Sequence, residues 1–149
     1  MNTILLATDG SPSAAQATAA AIDLAAATGA PLHVVTAWSA PVSSYDTLPL
    51  LIGPELIEAE HDKARETVAR AVAQAQAAGV AATPEVREGF AVDAICEAAR
   101  DTGASLVVVG AHGWGPLRRL VFGSVSRGVL HHAPCPVLVV RRDADDDAA

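Results

Sequence analysis

The segment GAHGWGPLRRLVFGSVS (110–126) places glycines at 110, 113 and 123 and a serine at 124 around the arginine pair Arg118 and Arg119. Glycine lets a backbone turn through positive φ and approach a ligand closely, so that successive N–H groups converge on an anion. Gly110 and Gly113 are expected to do this, following an apolar run that reads as a strand. Gly123 and Ser124 are expected to open a helix, whose free N–H groups and positive dipole end favour the same kind of ligand. Two arginines on one loop matter in a chain with only 10 Lys and Arg in total. Arginine matches phosphate oxygens bidentately. Phosphate binding is therefore the chemistry this segment supports, although each glycine taken alone also fits a strand end or a helix cap.

Other reactive residue types give weaker patterns. Asp9 sits in DGS at the end of the first apolar run, where it serves either as a turn residue or as a carboxylate facing a ligand. His112, between two glycines, either contacts the ligand or is simply exposed. Trp114 either shields a pocket or belongs to a contact between subunits. His131 and His132 fall at a helix C-terminus, where positive charge suits the dipole, so capping accounts for them better than metal binding does. No metal site and no catalytic residue is expected.

Several enzyme signatures are missing. There is no G-x-x-x-x-G-K-[ST], and the single lysine, Lys63, lies within a helical stretch. No G-x-S-x-G elbow surrounds Ser124. The first strand is followed by DGSPSA where a dinucleotide site would carry G-x-G-x-x-G. That lysine is also far from a last strand end, where a receiver domain would need one.

Apolar runs of strand length at 3–9, 31–38, 104–110 and 136–141 alternate with helical stretches. A fifth run, 80–88, contains Pro84 and is expected at a sheet edge. Ser11 and Pro12 open a first helix that Gly29 closes at residue 28. After a loop at 39–54, a second helix runs from Pro54 to a stop at Gly79, with Leu56, Ala64, Val68 and Val72 inward. A third, within 92–103, buries Val92, Ile95, Cys96 and Ala99, and a fourth runs from near Ser124 to before Pro134. Strand and helix alternate throughout, and strands such as LVVVG are apolar on both faces. The fold class is therefore α/β, a doubly wound open sheet of five parallel strands with helices on both faces. Ligands in such sheets sit at the carboxyl ends of the strands, which is where Asp9 and Gly110 fall.

A chain of 149 residues is the size of one domain, here expected over 1–142, followed by a disordered acidic tail, DADDDAA, at 143–149. The formal net charge of −7 argues against nucleic acid or an anionic membrane as a partner. The first residues lack the basic start of a signal peptide, and no run reaches membrane-spanning length. Cys96 and Cys135 show neither C-x-x-C nor zinc spacing, which suits a reduced cytoplasm, and both are expected as small core residues.

Gly110-x-x-Gly113, nine residues, then Gly123-Ser124 resembles the ATP-binding signature of universal stress proteins. ATDGSPSA at the start and CPVLVVRR at the end resemble that family's first and last strands. The resemblance spans 3–142 and implies the strand order 3-2-1-4-5 of an adenine-nucleotide-binding, Rossmann-like fold. It implies Asp9 beside a ribose with Ala7 and Thr8 along the adenosine, and Ala37 where backbone meets adenine. Gly110, Ala111, His112 and Gly113 would wrap ribose and phosphates, and Gly123, Ser124, Val125 and Ser126 would donate to the phosphate chain. The implied cofactor is ATP, with or without Mg2+. The implied role is a nucleotide-dependent regulator or switch and not an enzyme, forming a homodimer through residues 136–141. The alternative is a dimeric interaction module whose pocket is vestigial or holds another adenylate.

Overall fold

The computed structural model describes residues 1–39, 53–112 and 123–141. Gly113, Trp114, Arg118, Arg119, the tail 143–149 and most of the loop expected at 39–54 lie outside them.

Nine elements alternate along the described chain: β1 (Ile4–Ala7), α1 (Pro12–Thr28), β2 (Leu32–Trp38), α2 (Pro54–Ala77), β3 (Ala82–Glu88), α3 (Ala91–Thr102), β4 (Leu106–Gly110), α4 (Ser124–His132) and β5 (Val137–Val140). All strand pairings are parallel, in the order β3-β2-β1-β4-β5. The chain winds outward from β1 through β2 to β3, then returns to β1's other side for β4 and β5. Because right-handed crossovers put successive helices on one face until the direction reverses, α1 and α2 share one face, and α3 and α4 share the other.

The cores follow that division with the two-residue period of strands. Ile4, Leu6, Leu32, Val34 and Val108 pack under Ala17, Ala21 and Ala25 of α1 and Val68, Ala71 and Ala75 of α2. Leu5, Ala7, Val35, Val107 and Val109 pack under Ile95, Ala98 and Ala99 of α3 and Val129 of α4. Full burial of Ile4, Leu5 and Leu6 contributes about 1.5–3 kcal/mol for each side chain. An alanine stripe on α1 lets that helix lie close to the strands it covers.

Helix ends follow local chemistry. The Ser11 hydroxyl accepts the Ala14 N–H at 3.3 Å, Pro12 takes the first helical position, and Gly29 ends α1 in a left-handed conformation. On α2, Ala64, Val68 and Val72 are buried as expected, but Leu56 is exposed. It belongs to the first turn of α2, more than a turn before the first buried residue, Ala64. On α3, Val92 is only half-buried, and its methyls fill the space that a side chain at Gly128 of α4 would occupy. Cys96 is buried, whereas Cys135, in the turn leading to β5, is half-buried against the α3–α4 core. Burial pushes both thiols up from their ordinary pKa.

Pro84 lies in β3, an edge strand of this sheet. β3 is tied inward by charge. His33 Nε2 meets Glu85 at 2.7 Å, and Arg87 contacts Glu85 at 2.6 Å and Asp101 of α3 at 2.9 Å. Burial alone would raise the Glu85 pKa, but hydrogen bonds to His33 and Arg87, with the charges of both, hold it below the usual carboxylate value.

Candidate functional site

β1 and β4 are neighbours that lead in opposite winding directions, and the strand ends diverge there to leave a crevice. A cavity of about 510 Å³ occupies it. Ala7, Thr8 and Asp9 line it from the end of β1, with Ala37 from the end of β2. Gly110, Ala111 and His112 enter from the end of β4, and Gly123, Ser124, Val125 and Ser126 from the start of α4. The structure thus brings together every site residue expected from sequence except Gly113, which lies outside the described residues. Sequence reasoning missed the apolar walls Ala14, Val35, Ala91, Ile95 and Val109. Their signal was present but ambiguous, because a cavity wall and a core face carry the same periodicity.

The β1–α1 turn uses its own polar groups. Thr8 is buried, its hydroxyl accepts the Gly10 N–H at 3.2 Å, and its carbonyl accepts the Thr36 hydroxyl at 2.8 Å. Asp9 is exposed, and its carboxylate accepts the Ser11 N–H at 2.9 Å. Asp9 therefore makes the expected turn and also lines the cavity.

Gly110 departs from expectation. Its φ is not positive. Glycine is needed because a Cβ there would stand 2.8 Å from the Ser13 hydroxyl and 2.9 Å from the Ser13 carbonyl group. The close approach that requires glycine is to α1. Gly123 has an extended backbone with φ −73°, and its N–H donates to the Ala111 carbonyl at 2.7 Å. The Ser126 hydroxyl, expected to face a ligand, is buried and donates instead toward the carbonyls of Ala111 (3.1 Å) and Gly123 (3.0 Å).

Helix capping separates the two helix starts beside β1 and β4. The first turn of α1 is served by Ser11, while α4 has glycine at its cap and no side-chain hydrogen bond there. The N–H groups of the first turn of α4 have no partner within the helix, and Ser124 and Val125 are exposed on the cavity wall. α3 also lacks a side-chain cap but carries Asp93 in its first turn, a charge that opposes an anion. Among the described residues lining the cavity, Asp9 and His112 are the titratable ones. The described residues hold no group of three or more His, Cys, Asp or Glu suited to a metal. The arrangement suits a ligand with an apolar flat part against Val35, Ala91 and Ile95 and a polar or anionic part toward α4.

A five-stranded parallel sheet in this order, with its cavity at the β1/β4 switch, defines a doubly wound α/β protein of the Rossmann-like kind. Within that class the chain belongs to the universal stress protein family, whose model matches residues 1–141. A universal stress protein of Thermus aquaticus is 38% identical over 141 residues, covering 93% of this chain and 98% of the relative. The structure of universal stress protein UspA from Lactobacillus plantarum superimposes with a TM-score of 0.81 at 26% identity, covering 94% of this chain and 97% of that one. A universal stress protein solved in complex with cAMP gives a TM-score of 0.70 at 30% identity, covering 93% and 96% of the two chains.

Proposed function

We propose that this protein binds ATP at the switch-point cavity, with Mg2+ as an optional companion of the phosphates, and acts as a nucleotide-dependent regulator and not as an enzyme. The carrying observation is the uncapped start of α4 on the wall of a cavity that Val35, Ala91, Ile95 and Val109 also line with apolar surface. A helix that declines its own cap keeps N–H donors for an anion. The cavity volume lies in the ordinary range for small-molecule sites, roughly 300–1,000 Å³. The relative in complex with cAMP supports an adenine nucleotide as the ligand class.

On this reading Val35 and Ile95 flank the base, the Ala37 backbone meets its edge, and Asp9 accepts from the ribose hydroxyls. The β4–α4 segment receives the phosphates. A binding role is favoured over catalysis because the chain has no P-loop lysine. No helix among the described residues is long and apolar enough to cross a membrane. β5 is the surface through which two copies would join.

Calorimetric titration of nucleotide-stripped protein with ATP, with and without Mg2+, tests the reading. Saturable binding is expected, with Asp9→Ala and Gly113→Ala each weakening it by about tenfold or more. Folded protein that takes up no ATP at millimolar concentration would leave the dimeric interaction module as the better account.

A further inference from the structure

Ser13 does not line the cavity, yet it meets the chain that does. It lies in the first turn of α1, is 3% exposed, and its hydroxyl accepts the His112 N–H at 3.2 Å. The neighbouring residues have other tasks: Ser11 caps the helix, and Ala14 forms cavity wall. The absence of a side chain at Gly110 is what lets the end of β4 descend onto Ser13, where a Cβ would collide with hydroxyl and backbone together.

From the other side, the Ala111 N–H donates to Val140 at 2.8 Å, and the Ala111 carbonyl receives the Gly123 N–H and the Ser126 hydroxyl. Residues 111 and 112 are thus held by β5, by the start of α4, and by α1. Among the described residues, the hold from α1 is a single side-chain atom.

We infer that Ser13 is a positioning residue for Ala111 and His112 on the cavity wall, fixing the direction in which the chain leaves β4 without touching the ligand. The inference rests on the nucleotide reading above. A donor left without its acceptor seeks a new one, so removing the Ser13 hydroxyl re-aims the His112 peptide. The core is spared, because alanine fits the space serine leaves. Affinity should therefore fall at the phosphate end of the ligand and not at the adenosine end.

The test titrates ATP and adenosine into the wild-type protein, Ser13→Ala and Ser13→Cys, and follows hydrogen exchange at the His112 amide. Ser13→Ala is expected to weaken ATP about tenfold and leave adenosine within about twofold, with faster His112 exchange and a melting temperature that is lowered but stays well above the assay temperature. Ser13→Cys, similar in size with a weak acceptor, should recover part of the loss and serves if the alanine variant does not fold. Unchanged ATP affinity despite faster exchange would overturn the inference, as would equal weakening of ATP and adenosine. Wild-type protein that binds neither ligand would overturn the nucleotide reading itself and this inference with it, whereas a failure confined to the variants overturns the positioning role alone.

Discussion

Glycines 110 and 123 occupy matching places at the two ends of the β4–α4 connection, but they differ in what they avoid. A Cβ at Gly110 would lie 2.8–2.9 Å from a side chain and a backbone carbonyl of Ser13, while one at Gly123 would lie 3.3 Å from the Ala111 oxygen. Helix backbone cannot yield as a side-chain tip can. Gly110→Ala should therefore cost about 1–3 kcal/mol, as overpacking does, and Gly123→Ala clearly less. Urea unfolding of the two variants decides the order, and equal midpoints would refute it. Sequence spacing was enough to mark both glycines but gave Gly110 a positive φ that it does not have. Positive φ is a local property that a turn motif advertises, whereas a close approach to Ser13, 97 residues away in the chain, is written in the packing. Ser13 and the inward turn of Ser126 escaped for the same cause, since a serine near a helix start looks alike whether it caps, binds a ligand or holds a distant loop.

Elements were legible where local chemistry ends them and less so where packing does. Ser11, Pro12 and Gly29 fix α1 through capping and φ preferences, and structure and spacing agree on Pro12–Thr28. The first strand is shorter than its apolar run, Ile4–Ala7 against the expected 3–9, because Thr8, whose N–H makes a last bond to Val35 of β2, and Asp9 build the turn into α1. Least visible was the polar tie between β3 and its neighbours. Nothing in the run 80–88 distinguishes Glu85 from Glu88, yet Arg87 and Glu85 are only 20% and 22% exposed in their pairing. Its pH dependence follows from sign. Glu85 titrates below its ordinary 4.5 in the folded protein, so its stabilising contribution is complete above that value and is lost as pH falls through the folded one. Glu85→Gln should be less stable than wild type at neutral pH, and the difference should shrink as pH drops from about 5 toward 3. Denaturant melts across that range measure it; a gap that stays constant would show that the carboxylate charge is not what β3 gains from this residue.

At the scale of the molecule, the sheet has two edges, and the chain treats them unlike each other. β3 carries Pro84, which offers no N–H, together with the charged Glu85, Arg87 and Glu88. Proline and charge blunt an edge against further pairing. β5 reads VLVV, with Leu138 exposed and the three valines half-buried. An apolar edge strand left in water is a template for another chain, so a second copy pairing through β5 is the assembly this asymmetry favours. It also bears on regulation. Val140 receives the Ala111 N–H, so the strand that would meet the partner touches the peptide that leads into the phosphate segment. Occupancy of the cavity and pairing of β5 would then bias one another, as any two linked equilibria must. Light scattering coupled to size exclusion should give a dimer at micromolar concentration. Val139→Asp should shift it to monomer, and so should Leu138→Lys, which alters a more exposed position and thus separates loss of pairing from loss of folding. Added ATP should move the dimerisation constant of wild type in whichever direction dimerisation moves ATP affinity. A wild-type monomer at these concentrations would defeat the dimer. A stable dimer in both charged variants would move the interface off β5, and with it the proposed route from partner to site.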